Sequence, residues 1–236
     1  MLDLGPDLYL HKLLHGLDLT AVDTVFITHS HSDHFAPAEL TKRSTANYCT
    51  ITDEQPLRLY GNTQVLRLAR DGLSFEFGAP ADRSVTLHLA QPYRTIQRGR
   101  LWITPLPARH DPREDCLLYL VQDSQGNALL YATDTGLLDE TDARRLAQLL
   151  DGQRLGLCVM DCTFGDNANH GFPGHMSLQD NHRLMKLLLD SGCAGPDTRW
   201  YATHFSHNCG LSHSGLEQAA GADLHIAYDG LRVRLG

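Results

Sequence analysis

The stretch Val25-Phe26-Ile27-Thr28-His29-Ser30-His31-Ser32-Asp33-His34 decides how this 236-residue chain is read. Val25, Phe26 and Ile27 read as a buried strand, and polar residues take over where it ends. Three imidazoles and a carboxylate then fall within six positions. Such a density of hard and borderline ligands is best explained by a metal. In an extended backbone His29 and His31 point the same way. Asp33 and His34 begin the following turn and can address a second position, so one motif can serve two ions.

The rest of the chain is read for matching ligands at other strand ends, where layered α/β folds commonly build their sites. Three candidates stand out. His110 follows Leu101-Trp102-Ile103-Thr104-Pro105-Leu106, Asp134 follows Leu129-Leu130-Tyr131-Ala132-Thr133, and His204 follows Trp200-Tyr201-Ala202-Thr203. Any one of them alone is a turn former or a loop histidine. Together with the hexapeptide they form a repeated pattern.

Strands are expected at 22–28, 57–60, 84–88, 101–106, 116–122, 127–132, 155–160, 199–203 and 231–235. Asp123 to Asn127 reads as a hairpin turn. Helices are expected over 139–150 and 177–189, the second opening on Ser177-Leu178-Gln179-Asp180 as a capping box with Asp in the last position. A further box is read at Ser214-Gly215-Leu216-Glu217. Strands in runs with helices between the later ones predict an α/β fold of sheets with helices outside. With no repeat or long linker, 1–236 is expected to be a single domain.

Composition narrows the function. A net charge of −8 argues against a nucleic-acid-binding surface. No run approaches the ~20 apolar residues that span a bilayer, and Met1-Leu2-Asp3-Leu4-Gly5 lacks the features of a signal peptide, so a cytoplasmic location is expected. The six cysteines include no Cys-x-x-Cys pair and read as reduced core residues. Of the 14 histidines, His11, His15, His88, His182 and His225 read as surface or satisfied core residues.

His29-x-His31-x-Asp33-His34 followed in order by His110, Asp134 and His204 resembles the metallo-β-lactamase-fold hydrolases. The likeness extends over nearly the whole chain. Pro105 to His110 resembles the phosphodiesterase and nuclease branch, whereas thioesterases and lactonases usually place that histidine after a glycine. Val159-Met160-Asp161-Cys162, His175 ahead of a helix, Thr203-His204-x-Ser206-His207 and Tyr228-Asp229-Gly230 are similar to the cyclic-phosphate phosphodiesterase of phosphonate breakdown.

The resemblance implies an αββα four-layer sandwich. It implies His29, His31 and His110 on one metal, Asp33, His34 and His204 on the other, and Asp134 bridging. Two divalent ions, Zn²⁺ or Mn²⁺, could hold a bridging hydroxide as nucleophile for hydrolysis of a small phosphodiester such as ribose 1,2-cyclic phosphate. His175 is the implied general acid, counted with Asp33 as catalytic. A helix N-terminus disfavours imidazolium there, which a nearby phosphate or carboxylate would reverse.

Asp161 is read either as a carboxylate that orients a ligating histidine or as a turn cap. The Gly- and Asn-rich segment 165–174 is read as a mobile loop, with His170 contacting substrate. Relatives in this family carry earlier strands and a structural zinc site completed at the position of His207. The chain is therefore expected to lack the usual N-terminal strands, and His207 to lack that role. A homodimer is compatible with all of this. The alternatives are a tRNA 3′-processing nuclease, a thioester or lactone hydrolase, and a catalytically silent metal-binding protein.

Overall fold

The computed structural model describes residues 1–43, 56–77, 84–169 and 171–235. The chain forms two compact units, Met1–Gln91 with Arg113–Leu117, and Pro92–Pro112 with Leu118–Gly236. Cys49 and His170 lie outside the described residues.

The first unit carries a three-stranded parallel sheet in the order β1 (Thr24–Phe26), β2 (Leu57–Gly61), β3 (Val85–Leu89). All three β1 residues are buried, which accounts for its unbroken apolar reading. Around the sheet lie α1 (Leu8–His15), the single turn α2 (Ala38–Thr41) and α3 (Thr63–Phe77). Val25, Ile27, Phe35, Leu40, Leu59 and Val65 are at the centre of its core. The N-terminal segment is stitched by parallel bridges to β1, Leu2 to Phe26, and to the residue after the histidine motif, Leu4 to Phe35. Gly5 is required there, because a Cβ would lie 2.4 Å from the Asp33 carbonyl oxygen.

The second unit holds a seven-stranded sheet in the order β10-β9-β8-β7-β6-β5-β4. These are β4 (Ile96–Arg98), β5 (Leu101–Pro107), β6 (Leu117–Asp123), β7 (Ala128–Ala132), β8 (Leu157–Asp161), β9 (Arg199–Thr203) and β10 (Leu224–Ile226). β6 and β7 form the expected hairpin, with the Asp123 carboxylate accepting from the amides of Gln125 and Asn127 at 2.9 Å each. From β7 to β10 the strands are parallel, so each connection crosses over through a helix: α4 (Glu140–Leu150), α5 (Leu178–Asp190) and α6 (His213–Ala220). Three consecutive parallel strands thereby deliver the residues after Ala132, Met160 and Ala202 to one edge of one sheet.

Both long helices start on capping boxes, Asp139 with Asp142 and Ser177 with Asp180. The third expected box is displaced: Ser212, not Ser214, caps α6, its hydroxyl accepting from the Gly215 amide. Residues 231–235 are irregular, and the last strand is β10 instead. The apolar alternation of Leu231, Val233 and Leu235 resembles a strand but pairs with no ladder here. α1, α3 and β4 had no counterpart among the expected elements. Among the described residues no helix is long and apolar enough to cross a membrane.

Candidate metal centre

In the first unit the chain leaves β1 after Phe26 and turns between His31 and Phe35, whose amide donates to the His31 carbonyl at 2.8 Å. Rings cluster there: His29 lies 4.5 Å from His31 and 4.4 Å from His34, centroid to centroid. Asp33 extends outward, with its carboxylate 3.5 Å from His34 Nε2. Asp3, whose role was not read from the sequence, organises this cluster. Its carboxylate accepts from the Thr28 amide at 2.8 Å and from His34 Nδ1 at 2.8 Å. The Thr28 hydroxyl lies 3.0 and 3.1 Å from the two Asp3 oxygens and 3.0 Å from His29 Nδ1. A hydroxyl has one proton, and a carboxylate can only accept. Thr28 therefore donates to Asp3 and accepts from His29 Nδ1–H. In their neutral forms His29 and His34 both carry the lone pair on Nε2, the tautomer a metal ligand needs.

The backbone between His29 and His31 is held by Glu114. This carboxylate accepts from the Ser30 hydroxyl at 2.7 Å, from the Ser30 amide at 3.1 and 3.2 Å, and from Asn62 Nδ2 at 2.7 Å. Asn62 follows β2, and its Oδ1 accepts from the Val65 amide at 2.9 Å in the first turn of α3. The motif loop is thus anchored to a helix start through two side chains.

The second unit repeats the device. Asp161, fully buried at the end of β8, accepts from His175 Nδ1 at 2.8 Å and from the Thr163 hydroxyl at 3.0 Å. Thr163 Oγ1 lies 2.8 Å from His204 Nδ1, so by the same proton count it accepts from that ring. One aspartate again governs two histidines, one directly and one through a threonine. Asp161 also accepts from the amides of Asp134, Thr163 and Met176 at 3.1, 3.0 and 2.8 Å. The two sequence readings of Asp161, orienting carboxylate and turn cap, describe the same side chain. Asn181 on α5 donates to the Asp161 carbonyl at 2.7 Å, fixing the strand end.

His110 donates from Nδ1 to the Gly174 carbonyl at 3.0 Å, which leaves the lone pair on Nε2, 3.7 Å from Asp134 Oδ2. Two ligands at roughly 2.0–2.2 Å from one ion are separated by about this much. His204 Nδ1 lies 3.0 Å from Asp134 Oδ1, and His175 Nδ1 lies 3.4 Å from the same oxygen. Asp134, Asp161, His175 and His204 have one nitrogen or oxygen each mutually within 4.8 Å. The ring nitrogens nearest Asp134, however, are the Nδ1 atoms that donate to Asp161 and Thr163, which leaves Nε2 of His204 as the atom that can ligate. The donor set is nitrogen and carboxylate oxygen without thiolate, which fits a Zn- or Mn-type ion.

The loops carrying these residues interlock. The Gly136 amide donates to the Arg109 carbonyl at 2.9 Å, and the Arg109 amide donates to Thr135 Oγ1 at 3.0 Å. A Cβ on Gly136 would sit 1.8 Å from the Pro173 carbonyl oxygen. Asp3, Asp134 and His204 adopt φ of 55°, 49° and 61°, three of the five non-glycine residues with positive φ among those described. Such backbones cost about 1–3 kcal/mol each and collect where the fold must aim a side chain. His207 is exposed in a single 3-10 turn and belongs to none of the ligand groups among the described residues. The segment after Phe164 is hydrogen-bonded at both ends, Asn167 N to Phe164 O at 2.8 Å and Leu178 N to Gly165 O at 2.7 Å.

Residues 1–205 match the family profile of the β-lactamase superfamily domain, and the chain belongs to that family. Its fold is similar to that of several solved proteins. The metallo-β-lactamase-fold protein YhfI from Bacillus subtilis is 21% identical with a TM-score of 0.70, covering 98% of this chain and 85% of its own. Zn²⁺-bound PqqB from Methylobacterium extorquens is 15% identical with a TM-score of 0.68, covering 99% and 82%. The short form of human tRNase Z is 16% identical with a TM-score of 0.68, covering 100% and 87%. No curated protein matches.

Proposed function

We propose that the protein is a dinuclear-metal phosphodiesterase acting on a small, cyclic phosphodiester such as phosphoribosyl 1,2-cyclic phosphate. His29, His31 and His110 would hold one divalent ion, Asp33, His34 and His204 the other, with Asp134 shared. The observation that carries the reading is His175 held against Asp161 at 2.8 Å, beside Asp134 and His204. A phosphodiesterase needs a proton for its leaving alkoxide, and His175 would supply it.

When bound, two divalent ions supply Lewis acidity, a nucleophile at neutral pH and neutralisation of phosphoryl charge. The remaining work falls to the side chains. Asp161 accepts from His175 Nδ1, so that Nε2 is the atom presented for proton transfer. Asp3 and Asp161 keep the ligand rings in one tautomer, so ions bind without reorganising the site.

The likeness to tRNase Z raises a nuclease as the second reading. A net charge of −8 weighs against holding a polyanion, since phosphate contacts dominate nucleic-acid affinity. The test is a panel: metal-loaded protein assayed on bis(p-nitrophenyl) phosphate, ribose 1,2-cyclic phosphate, a tRNA precursor and a thioester, alongside Asp134→Ala. The proposal expects turnover of the two small phosphodiesters, lost in Asp134→Ala. Thioester turnover without phosphodiester turnover rejects it, as does cleavage confined to RNA.

A further inference from the structure

His175 is set among rings. His110 lies 4.7 Å and His204 5.7 Å away, centroid to centroid, and both are proposed ligands. Two further rings carry no ligand atom: Phe164 at 5.9 Å and Phe172 at 5.6 Å. Phe164 is half-buried, whereas Phe172 is 46% exposed. This exposed ring has a built mount. A Cβ on Gly174 would lie 2.7 Å from Phe172 Cε1, so the ring lies down across that glycine. The Gly174 carbonyl accepts from His110 Nδ1 at 3.0 Å. The Pro173 carbonyl oxygen is pressed against Gly136, where a Cβ would come within 1.8 Å of it. Two glycines and a proline thus hold an apolar face next to His175.

We propose, resting on the phosphodiesterase reading of this site, that Phe172 sets the substrate class by stacking on the furanose that bears the scissile phosphodiester. A proton donor works at about 2.6–3.2 Å from the atom it serves, so the groups that flank His175 also flank the leaving oxygen. When the phosphodiester is fused to a furanose, that oxygen is bonded to a ring carbon, and the sugar is carried to Phe172 with it. The C–H hydrogens of the sugar meet the electron-rich face of the phenyl ring, and the contact gains dispersion. It also takes apolar surface of the exposed ring out of water. Hydrolysis breaks the P–O bond to the leaving oxygen, which takes its proton from His175, while water supplies the oxygen that joins phosphorus. The phosphate stays on the neighbouring sugar oxygen, so the furanose is held through the whole step. A cyclic phosphate without a sugar ring gains nothing from Phe172.

Steady-state kinetics of the metal-loaded full chain tests this on ribose 1,2-cyclic phosphate, a nucleoside 2′,3′-cyclic phosphate and glycerol 1,2-cyclic phosphate, which has no sugar ring. Phe172→Ala should raise KM for both furanose substrates by about tenfold with kcat little changed. Both parameters for glycerol cyclic phosphate should stay as in the wild type. Phe172→Trp, which keeps a flat ring, should restore KM. Should Phe172→Ala fail to fold, Phe172→Leu keeps apolar bulk without the ring face and is expected to show the same split. No change in KM overturns the proposal, and so does an equal loss on all three substrates, the mark of a merely structural mount. A loss confined to the nucleoside substrate assigns the ring to a base and overturns it too. A wild-type chain that turns over none of the three instead refutes the phosphodiesterase reading beneath it.

Discussion

Asp161 Oδ2 sits 2.8 Å from His175 Nδ1 and 3.0 Å from the Thr163 hydroxyl, and Thr163 passes the contact on to His204. Asp3 does the same for His34 directly and for His29 through Thr28. Each unit therefore sets two imidazole tautomers with one carboxylate and one threonine. The shared geometry yields separate expectations for the two aspartates.

If His175 donates the proton to the leaving group, its importance must scale with how poor that group is. His175→Ala should slow hydrolysis of an alkyl phosphodiester by roughly 10²–10⁴-fold. Turnover of bis(p-nitrophenyl) phosphate should suffer far less, because nitrophenolate departs without a proton. Equal losses on both substrates would reject the general-acid role.

Asp3 is expected to act on metal affinity. Asp3→Asn keeps the side-chain shape but no longer demands a proton on His34 Nδ1. Competition with a chelator should show metal binding weakened by about 10–100-fold. Unchanged affinity would mean that the ring orientations are fixed by packing alone.

Glu114→Ala strands the Ser30 hydroxyl and Asn62 Nδ2. Losing hydrogen bonds to a charged acceptor at a part-buried site costs about 1–3 kcal/mol. For a chain of this length each kcal/mol lowers Tm by roughly 2–4 °C. Calorimetry of the metal-free protein should show a drop on that scale, and no drop would mean the clamp contributes nothing to the fold.

The core cysteines set an alkaline limit on stability. Burial pushes the Cys158 and Cys193 thiols above their ordinary range, and burial with the neighbouring Asp161 pushes Cys162 up to about 12. A thiol raised in the folded state has its full stabilising contribution below the unfolded value. That contribution is lost as pH rises through the folded value. Denaturant midpoints should hold up to about pH 9 and decline above it. Cys158→Ala should flatten the decline, and a midpoint independent of pH up to 11 would contradict it.

His29, His110, Asp134 and His204 stood out as candidates because each follows an apolar stretch read as a strand. The capping boxes at Asp139 and Ser177 were legible because they are local. Asp3 was not: one acid between leucines carries no local sign that it will meet Thr28, 25 residues on. Glu114 was hidden likewise, its partner Ser30 lying 84 positions away. α3 was passed over because Gly72 interrupts its pattern; there a Cβ would come 2.9 Å from Pro37 Cβ, so the glycine serves packing against the segment before α2. The segment 231–235 had the alternation of a strand but pairs with no strand among the described residues.

The central claim is that seven residues hold two ions, and elemental analysis of the purified protein tests it most directly. After saturation with Zn²⁺ or Mn²⁺ and removal of free metal, the account predicts two ions per chain, falling to one or fewer in Asp134→Ala with the fold retained. A wild-type chain that retains no metal, or an Asp134→Ala chain that retains both ions, would contradict it.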